Sequence, residues 1–493
     1  ENSTLESNYV AVRVFNSGPD MNNVTIKNST LKGGSYAFWV HNYTKADFSN
    51  DQAKADAQKA LLNLDIFNGT NTFIGKNDTP VRFGFTDSEY ADENGLFAIT
   101  DDEGNVIEGI GKDLEGNYAV TAAEGLEWVS SQVDEGRTFE GVTIQLLNDL
   151  DLSNDNWNPI GDNRTDAAFS GTFDGNGFTI HNLRVEDKES NGLFGTVQGT
   201  VKNLNIKGVY ITGNYSGAIA GRAYNGATIS NCKTTLIDGS LIRGTYAGGI
   251  VGSIRHNSYS DYFAIKNCIV ESTANKAAIY GTRVGGIAGE VNINSYSASN
   301  SIIKECDAFC NIYGEEYVGG ISGYATGAFS IAYCRYNGNL SGTQYVGGIT
   351  GYQSYSETIG CKASGNIEGD DNIGGISGKN AAANIIASYS NCDITASAAA
   401  KYIGGIVGTA GSSKISLCYS TTICNHSNFS PISYDGTKEH SYSVYETKDI
   451  AEKMFESYSD YADYWDFDNI WVWEGEINGV KKQVRCPRLA WEM

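Results

Sequence analysis

Tyr317-Val318-Gly319-Gly320-Ile321-Ser322-Gly323 decides the fold, because near-copies of it recur along the chain. The pattern x-Gly-Gly-Ile-x-Gly closes at Gly252, Gly289, Gly323, Gly351, Gly378 and Gly408, with Val or Ile leading five of the six copies. Two looser versions precede them, Gly192-Leu193-Phe194-Gly195 and Ala218-Ile219-Ala220-Gly221. Successive closing glycines lie 26, 31, 37, 34, 28, 27 and 30 residues apart. A period of roughly 20 to 50 residues marks units that cannot bury a core alone and must stack.

Composition supports an all-β stack. The 493 residues include 58 Gly and 30 Tyr but 5 Pro, and 41% are hydrophobic, which excludes wholesale disorder. A net charge of −23 speaks against nucleic acid or an anionic membrane as partner, since both need basic patches. No stretch reaches the roughly 18 apolar residues of a membrane span, so no membrane insertion is expected. The polar opening Glu1-Asn2-Ser3-Thr4 is not a signal peptide, and the expectation is a chain whose leader has been removed.

The sequence divides into four regions. Residues 1–90 hold β-helix-like rungs, at Val24–Ser29 and Leu64–Gly69, around a helical insertion at Asp51–Leu62. Residues 91–120 read as a connector with hairpin turns at Asp102–Asn105 and Leu114–Asn117. The repeats occupy 121–425, opened by a capping helix from Thr121 through Leu126, Val129 and Val133, then a strand over Val142–Leu152. Past Cys424 the repeats stop. Residues 426–493 form an aromatic-rich cap with a helix over Lys448–Tyr458 and Trp465, Trp471, Trp473 and Trp491 beyond it.

A second register runs through the repeats as Ile-x-x-Cys, ending at Cys232, Cys268, Cys306, Cys334 and Cys418, with Cys361 and Cys392 assigned to the matching point of their own units. One cysteine per unit is the wrong arithmetic for zinc, which takes close pairs. Stacked in-register thiols also fit the disulfide dihedral poorly, so free core thiols are expected. The acidic pairs Glu315-Glu316 and Asp370-Asp371 align with Thr343-Gln344 and Gly244-Thr245 in other units, which reads as a solvated turn. No catalytic residue, metal site or cofactor is expected, and the five histidines share no spacing. A third register is aromatic: Tyr215, Tyr246, Tyr317, Tyr345 and Tyr402 precede the glycines, and Tyr324 and Tyr352 follow the closing one. Stacked units would align them in columns, either bracing neighbouring strands or offering a face to sugars or proteins.

Trp157-Asn158-Pro159-Ile160-Gly161, the run from Phe169 through Phe173-Asp174-Gly175-Asn176-Gly177 to Leu183, the Gly-Gly-Ile units and Pro487-Arg488-Leu489-Ala490-Trp491 together resemble the GLUG-repeat proteins. Residues 1–90 resemble pectate-lyase-like rungs more loosely. The resemblance implies a right-handed parallel β-helix, a β-solenoid with short capping helices, in secreted or surface-anchored bacterial proteins, frequent in gut bacteria and in some adhesins. It brings no catalytic residues. The resulting expectation is an extracellular adhesion or stalk module at the bacterial cell surface, its partner a host glycan or extracellular matrix protein. The alternatives are a polysaccharide-active β-helix enzyme and a purely structural spacer.

Overall fold

The computed structural model describes most of residues 96–433; the stretches 102–104, 114–115, 154–155, 162–167, 257–261, 275–277 and 295–299 lie outside the description. Beyond that span it describes residues 26–33 and the backbone of further strands. The expected helices at Asp51–Leu62 and Lys448–Tyr458, and the strand at Leu64–Gly69, fall outside the described residues. The protein is nearly all β, a solenoid of parallel stacked strands with about 12 turns in all. It divides into two compact units, residues 1–129 with 142–148, and residues 130–141 with 149–493.

In the first unit Thr4–Ser7, Thr30–Gly33 and Thr72–Ile74 stack in parallel, as do Val10–Asn16, Tyr36–Asn42 and Val81–Phe83. Of the run Val24–Ser29, Val24 and Thr25 lie outside the described residues; residues 26–29 belong to no strand, Asn28 stands at φ 51° at the expected turn, and a strand begins at Thr30. Asn tolerates the left-handed region, so it ends an extended run rather than continuing one. The stacking then gives way to antiparallel pairing of Phe97–Thr100 with Val106–Lys112 and of that strand with Tyr118–Val120. Asp101 and Asp113 close the two hairpins, each accepting from the main-chain N–H of the Asn four residues on, at 2.8 Å. Parallel pairing resumes between Tyr118–Val120 and Thr143–Leu146. The helix Ala123–Asp134, the one helix among the described residues, buries Leu126, Val129 and Val133 on one stripe and carries Glu124 in its first turn, where the helix dipole favours it.

The second unit repeats one coil. A three-residue strand (Ile302–Lys304 in one coil) meets a left-handed corner residue, then a long strand (Asn311–Gly319), the glycine turn, and a further strand (Ser322–Thr326). The last of these form an eight-stranded parallel sheet running from Phe194–Val197 to Val407–Thr409. Each of the eight closing glycines is the second residue of one of its strands, so repeat and coil coincide.

Glycine is required there because main chain approaches main chain. A Cβ on Gly323 would lie 2.5 Å from the nitrogen of Val284 and 2.8 Å from the carbonyl oxygen of Gly289, both in the preceding coil. On Gly320 it would lie 2.0 Å from the oxygen of Gly348 and 2.3 Å from the ring of Tyr336 in the next coil. Between these glycines the isoleucines Ile250, Ile287, Ile321, Ile349, Ile376 and Ile406 form a fully buried column. Each fully buried side chain of this size contributes about 1.5–3 kcal/mol.

The turn also occurs twice more than its glycines reveal. Ile160 pairs with Phe194 ahead of the first copy, and Ser433 pairs with Val407 after the last. The repeats therefore continue past Cys424, with Ser430-Pro431-Ile432-Ser433 as a degenerate turn whose Ile432 carbonyl accepts from Ile406 and Val407. Two further expectations change. Glu315-Glu316 and Asp370-Asp371 lie within the long strands Asn311–Gly319 and Lys362–Gly374 and not in turns. Cys392 is off the cysteine register: Ser388 holds that position, accepting from Cys361 N–H at 3.2 Å, while Cys392 pairs with Gly365.

Candidate binding strip

The corner at the cysteine register is left-handed, with φ near 50° at Asn203, Asn231, Asn267, Glu305, Tyr333, Ala387 and Leu417 and 61° at Gly360; Leu204 and Ser388 follow it where a coil has no cysteine. Asparagine suits this region, and three of these side chains also form a ladder. Asn267 donates to Asn231 at 3.2 Å, Asn231 to Asn203 at 3.1 Å, and Asn203 to Asp174 at 3.0 Å. Behind the corner Cys232, Cys268, Cys306, Cys334, Cys361 and Cys418 are buried and form no disulfide. Each thiol donates to two main-chain carbonyls, one of its own coil and one of the coil before; for Cys306 these are Lys304 at 3.3 Å and Ile265 at 3.7 Å. Burial pushes the thiols of Cys232, Cys268, Cys306 and Cys334 well above the ordinary range, and those of Cys310 and Cys392 up to about 12. These thiols are core packing, poorly suited to act as nucleophiles or ligands.

The tyrosine register does assemble, and with partners that the glycine alignment does not show. On the long strands Tyr215 stacks on Tyr246, centroids 4.6 Å apart and planes 4° apart, and Tyr317 stacks on Tyr345 at 5.1 Å and 11°. Arg283 pairs in register with Tyr246 on one side and Tyr317 on the other, its Cζ 5.4 Å from each ring. On the facing sheet Tyr324 stacks on Tyr352 at 5.1 Å and 9°, and both meet Tyr317 edge to face. Asn372 stands in the coil between Tyr345 and Tyr402 and accepts from Thr409, so Tyr402 is separated from the stack.

Cations cap the rings. Arg222 lies over Tyr215 with Cζ at 3.9 Å, Arg283 over Tyr324 at 4.2 Å, and Lys379 over Tyr345 at 5.4 Å. Arg222 also pairs with Glu189 at 2.9 Å. One coil before Tyr324, in the same register of that sheet, lies a fully buried carboxylate, Glu290, which accepts from Ser253 Oγ at 2.9 Å, from Arg255 Nε at 3.0 Å and Nη2 at 2.8 Å, and from Arg283 Nη1. Burial works against the charge of Arg255, but the Glu290 carboxylate more than offsets it and holds this guanidinium above its ordinary pKa. Tyr317 is raised to about 12, by burial first and then by Glu316, so its hydroxyl stays protonated.

This arrangement limits the chemistry. Both oxygens of Glu290 accept from held donors, Oε2 from three and Oε1 from one, which fixes the carboxylate as the structural centre of the triad. Stacking and cation–π partners occupy the ring faces, so a half-buried ring offers its edge and its hydroxyl. Glu290, Arg222, Arg255 and Arg283 were not legible as a site, because each fills a variable position: Arg222 and Glu290 share one register with Ser253, Tyr324, Tyr352, Lys379 and Thr409, Arg255 pairs with Asn292, and Arg283 stands in the tyrosine register. The one available signal was their placement beside the aromatic register.

No protein-family model matches the chain. Halomucin of Haloquadratum walsbyi is 30% identical over 234 residues, which is 42% of this chain and 2% of that protein. A "Putative Gly-rich membrane protein" of Evansella cellulosilytica is 36% identical over 112 residues, 22% of this chain and 13% of that protein. The matched chain thus spans a small part of either relative. Among solved structures, a "putative immunoglobulin A1 protease" from Bacteroides ovatus superposes with a TM-score of 0.38 at 19% identity, over 76% of this chain and 93% of that one. Among the described residues, no helix is long and apolar enough to cross a membrane.

Proposed function

We propose that the chain is a non-catalytic module of a bacterial surface protein, in which the solenoid holds a Tyr–Arg strip against an extended partner such as a glycan chain. The observation that carries this is the pair of facing columns, Tyr215–Tyr246–Arg283–Tyr317–Tyr345 and Tyr324–Tyr352, with one polar group per coil at 4.6–5.1 Å between stacked rings. A polymer lying along the axis meets the same chemistry coil after coil, so weak contacts accumulate through multivalency. The half-buried phenol edges of Tyr246, Tyr317, Tyr324, Tyr345 and Tyr352 and the guanidinium groups suit a hydroxyl-rich ligand that exchanges hydrogen bonds, while the buried Tyr215 braces the stack. The GLUG-like sequence features and the halomucin and Gly-rich membrane protein matches support a surface setting. Burial of the thiols is compatible with an oxidising exterior, since a protonated, inaccessible thiol does not form disulfides.

Screening the purified chain on glycan and extracellular matrix arrays tests this reading. Binding that falls on joint Tyr317→Phe and Tyr345→Phe substitution supports it. Shortening of a polysaccharide during incubation would replace it with a lyase or hydrolase.

A further inference from the structure

The triad of Arg255, Arg283 and Glu290 within the strip holds more positive charge than it cancels, in a chain whose net charge is −23. Arg255 and Arg283 share one carboxylate, that of Glu290, which is fully buried, while their own side chains stay 33% and 27% exposed. One positive charge is left over at this point. Of the other carboxylates close by, Glu189 is neutralised by Arg222 and also accepts from Asn214, while Glu316 keeps its charge beside the neutral Tyr317 hydroxyl, outside the triad. Both guanidiniums are also held in place, with Tyr215 and Tyr246 within 5.5 Å of Arg255 Cζ, and Tyr246, Tyr317 and Tyr324 within 5.4 Å of Arg283 Cζ. A guanidinium carries five N–H donors, and Glu290 takes two from Arg255 and one from Arg283. Their orientation is fixed before any ligand arrives, so a second anion would meet paired donors at little ordering cost.

Resting on the reading of the strip as a glycan-binding face, we propose that the glycan is acidic and that one of its carboxylate or sulfate groups sits on Arg255 and Arg283. The buried Glu290 sets the geometry of the pair, and the surplus charge selects the ligand.

Surface plasmon resonance on the whole chain tests this with polygalacturonate and dextran sulfate as acidic polymers and dextran as the neutral one. Both acidic polymers, or the one bearing the preferred group, should bind at least about tenfold more tightly than dextran, the scale of one charged hydrogen-bond contact. Arg255→Gln removes the surplus charge and should weaken acidic binding by about tenfold. The double variant Arg255→Gln with Glu290→Gln keeps an amide pair in the same place and restores the surplus through Arg283, so binding should return to within about threefold. Equal binding of dextran, or a double variant as weak as the single one, overturns the charge assignment and leaves the glycan reading standing. Failure of every polysaccharide to bind sinks both.

Discussion

Tyr215 and Tyr246 stack face to face at 4.6 Å across two coils, and the outer face of Tyr215 is covered by the guanidinium of Arg222. The same holds in the Tyr317–Tyr345 stack, which Arg283 and Lys379 cover at its two ends. These rings brace the coils as well as lining a surface. Joint Tyr317→Ala and Tyr345→Ala substitution should therefore lower stability by about 2–4 kcal/mol, since it removes both rings' buried area and their mutual stacking. Tyr317→Phe with Tyr345→Phe keeps the stack and should leave the denaturant midpoint unchanged while reducing ligand binding. Chemical denaturation of both pairs checks the split; an unchanged midpoint in the alanine pair would show that the stack adds nothing.

Glu290 makes a sharper test of the strip's interior. Replacing it by Ala leaves Arg255 and Arg283 facing each other with their shared carboxylate gone, and Ser253 without its acceptor. The two guanidiniums left behind are partly solvated, so the loss should cost about 1–3 kcal/mol, the scale of lost charged hydrogen bonds. Glu290→Gln keeps an acceptor oxygen and the side-chain volume and should cost less than half of that. A Glu290→Ala protein that unfolds at the wild-type urea concentration would mean that the triad contributes no net stability.

The coil was legible in the sequence because its glycines answer to main-chain contact, which tolerates no side chain. Gly252 through Gly408 consequently kept one pattern, and each marks one strand. At the two outermost turns the pattern is lost, and those of Ile160 and Ser433 carry Pro159 and Pro431 among residues that do not match it. Ser388 escaped for a related reason: a hydroxyl of near-equal size fills a thiol's place in the corner, so the column continues without its marker. The binding strip was half legible. Tyrosines repeat and align on the glycines, but Arg222, Arg255, Arg283 and Glu290 act through contacts between coils, which no single repeat records.

The glycine argument is itself open to measurement. Gly323→Ala places a Cβ against backbone atoms of the neighbouring coil at 2.5–2.8 Å, and backbone cannot rotate aside. Overpacking of this kind should cost about 3 kcal/mol or more. Gly239 offers the contrast, because a Cβ there meets nothing within 4 Å and only its φ of 84° penalises a side chain. Gly239→Ala should cost about 1–2 kcal/mol. Equal midpoints for the two variants would show that φ, and not close approach, maintains the pattern within this chain.

The buried thiols predict a particular dependence on pH. In the folded chain the Cys310 and Cys392 thiols are raised to about 12, and those of Cys232, Cys268, Cys306 and Cys334 also lie well above the ordinary range. In the unfolded chain the same thiols ionise near about 8.5. Below that value both states keep their protons and the thiols impose no pH dependence. Above it the unfolded state binds fewer protons, so stability falls as pH rises, by about 1.4 kcal/mol per pH unit for each thiol held neutral, until the folded thiol itself ionises. Urea midpoints should thus be flat from pH 7 to 8 and drop steeply from pH 9 to 11. Cys334→Ser, which copies the serine already present at 388, should fold and flatten that slope by one thiol's share. In the native protein these six thiols should resist a thiol-specific reagent at pH 8 and react in denaturant without prior reduction; rapid labelling of the native protein would contradict their burial.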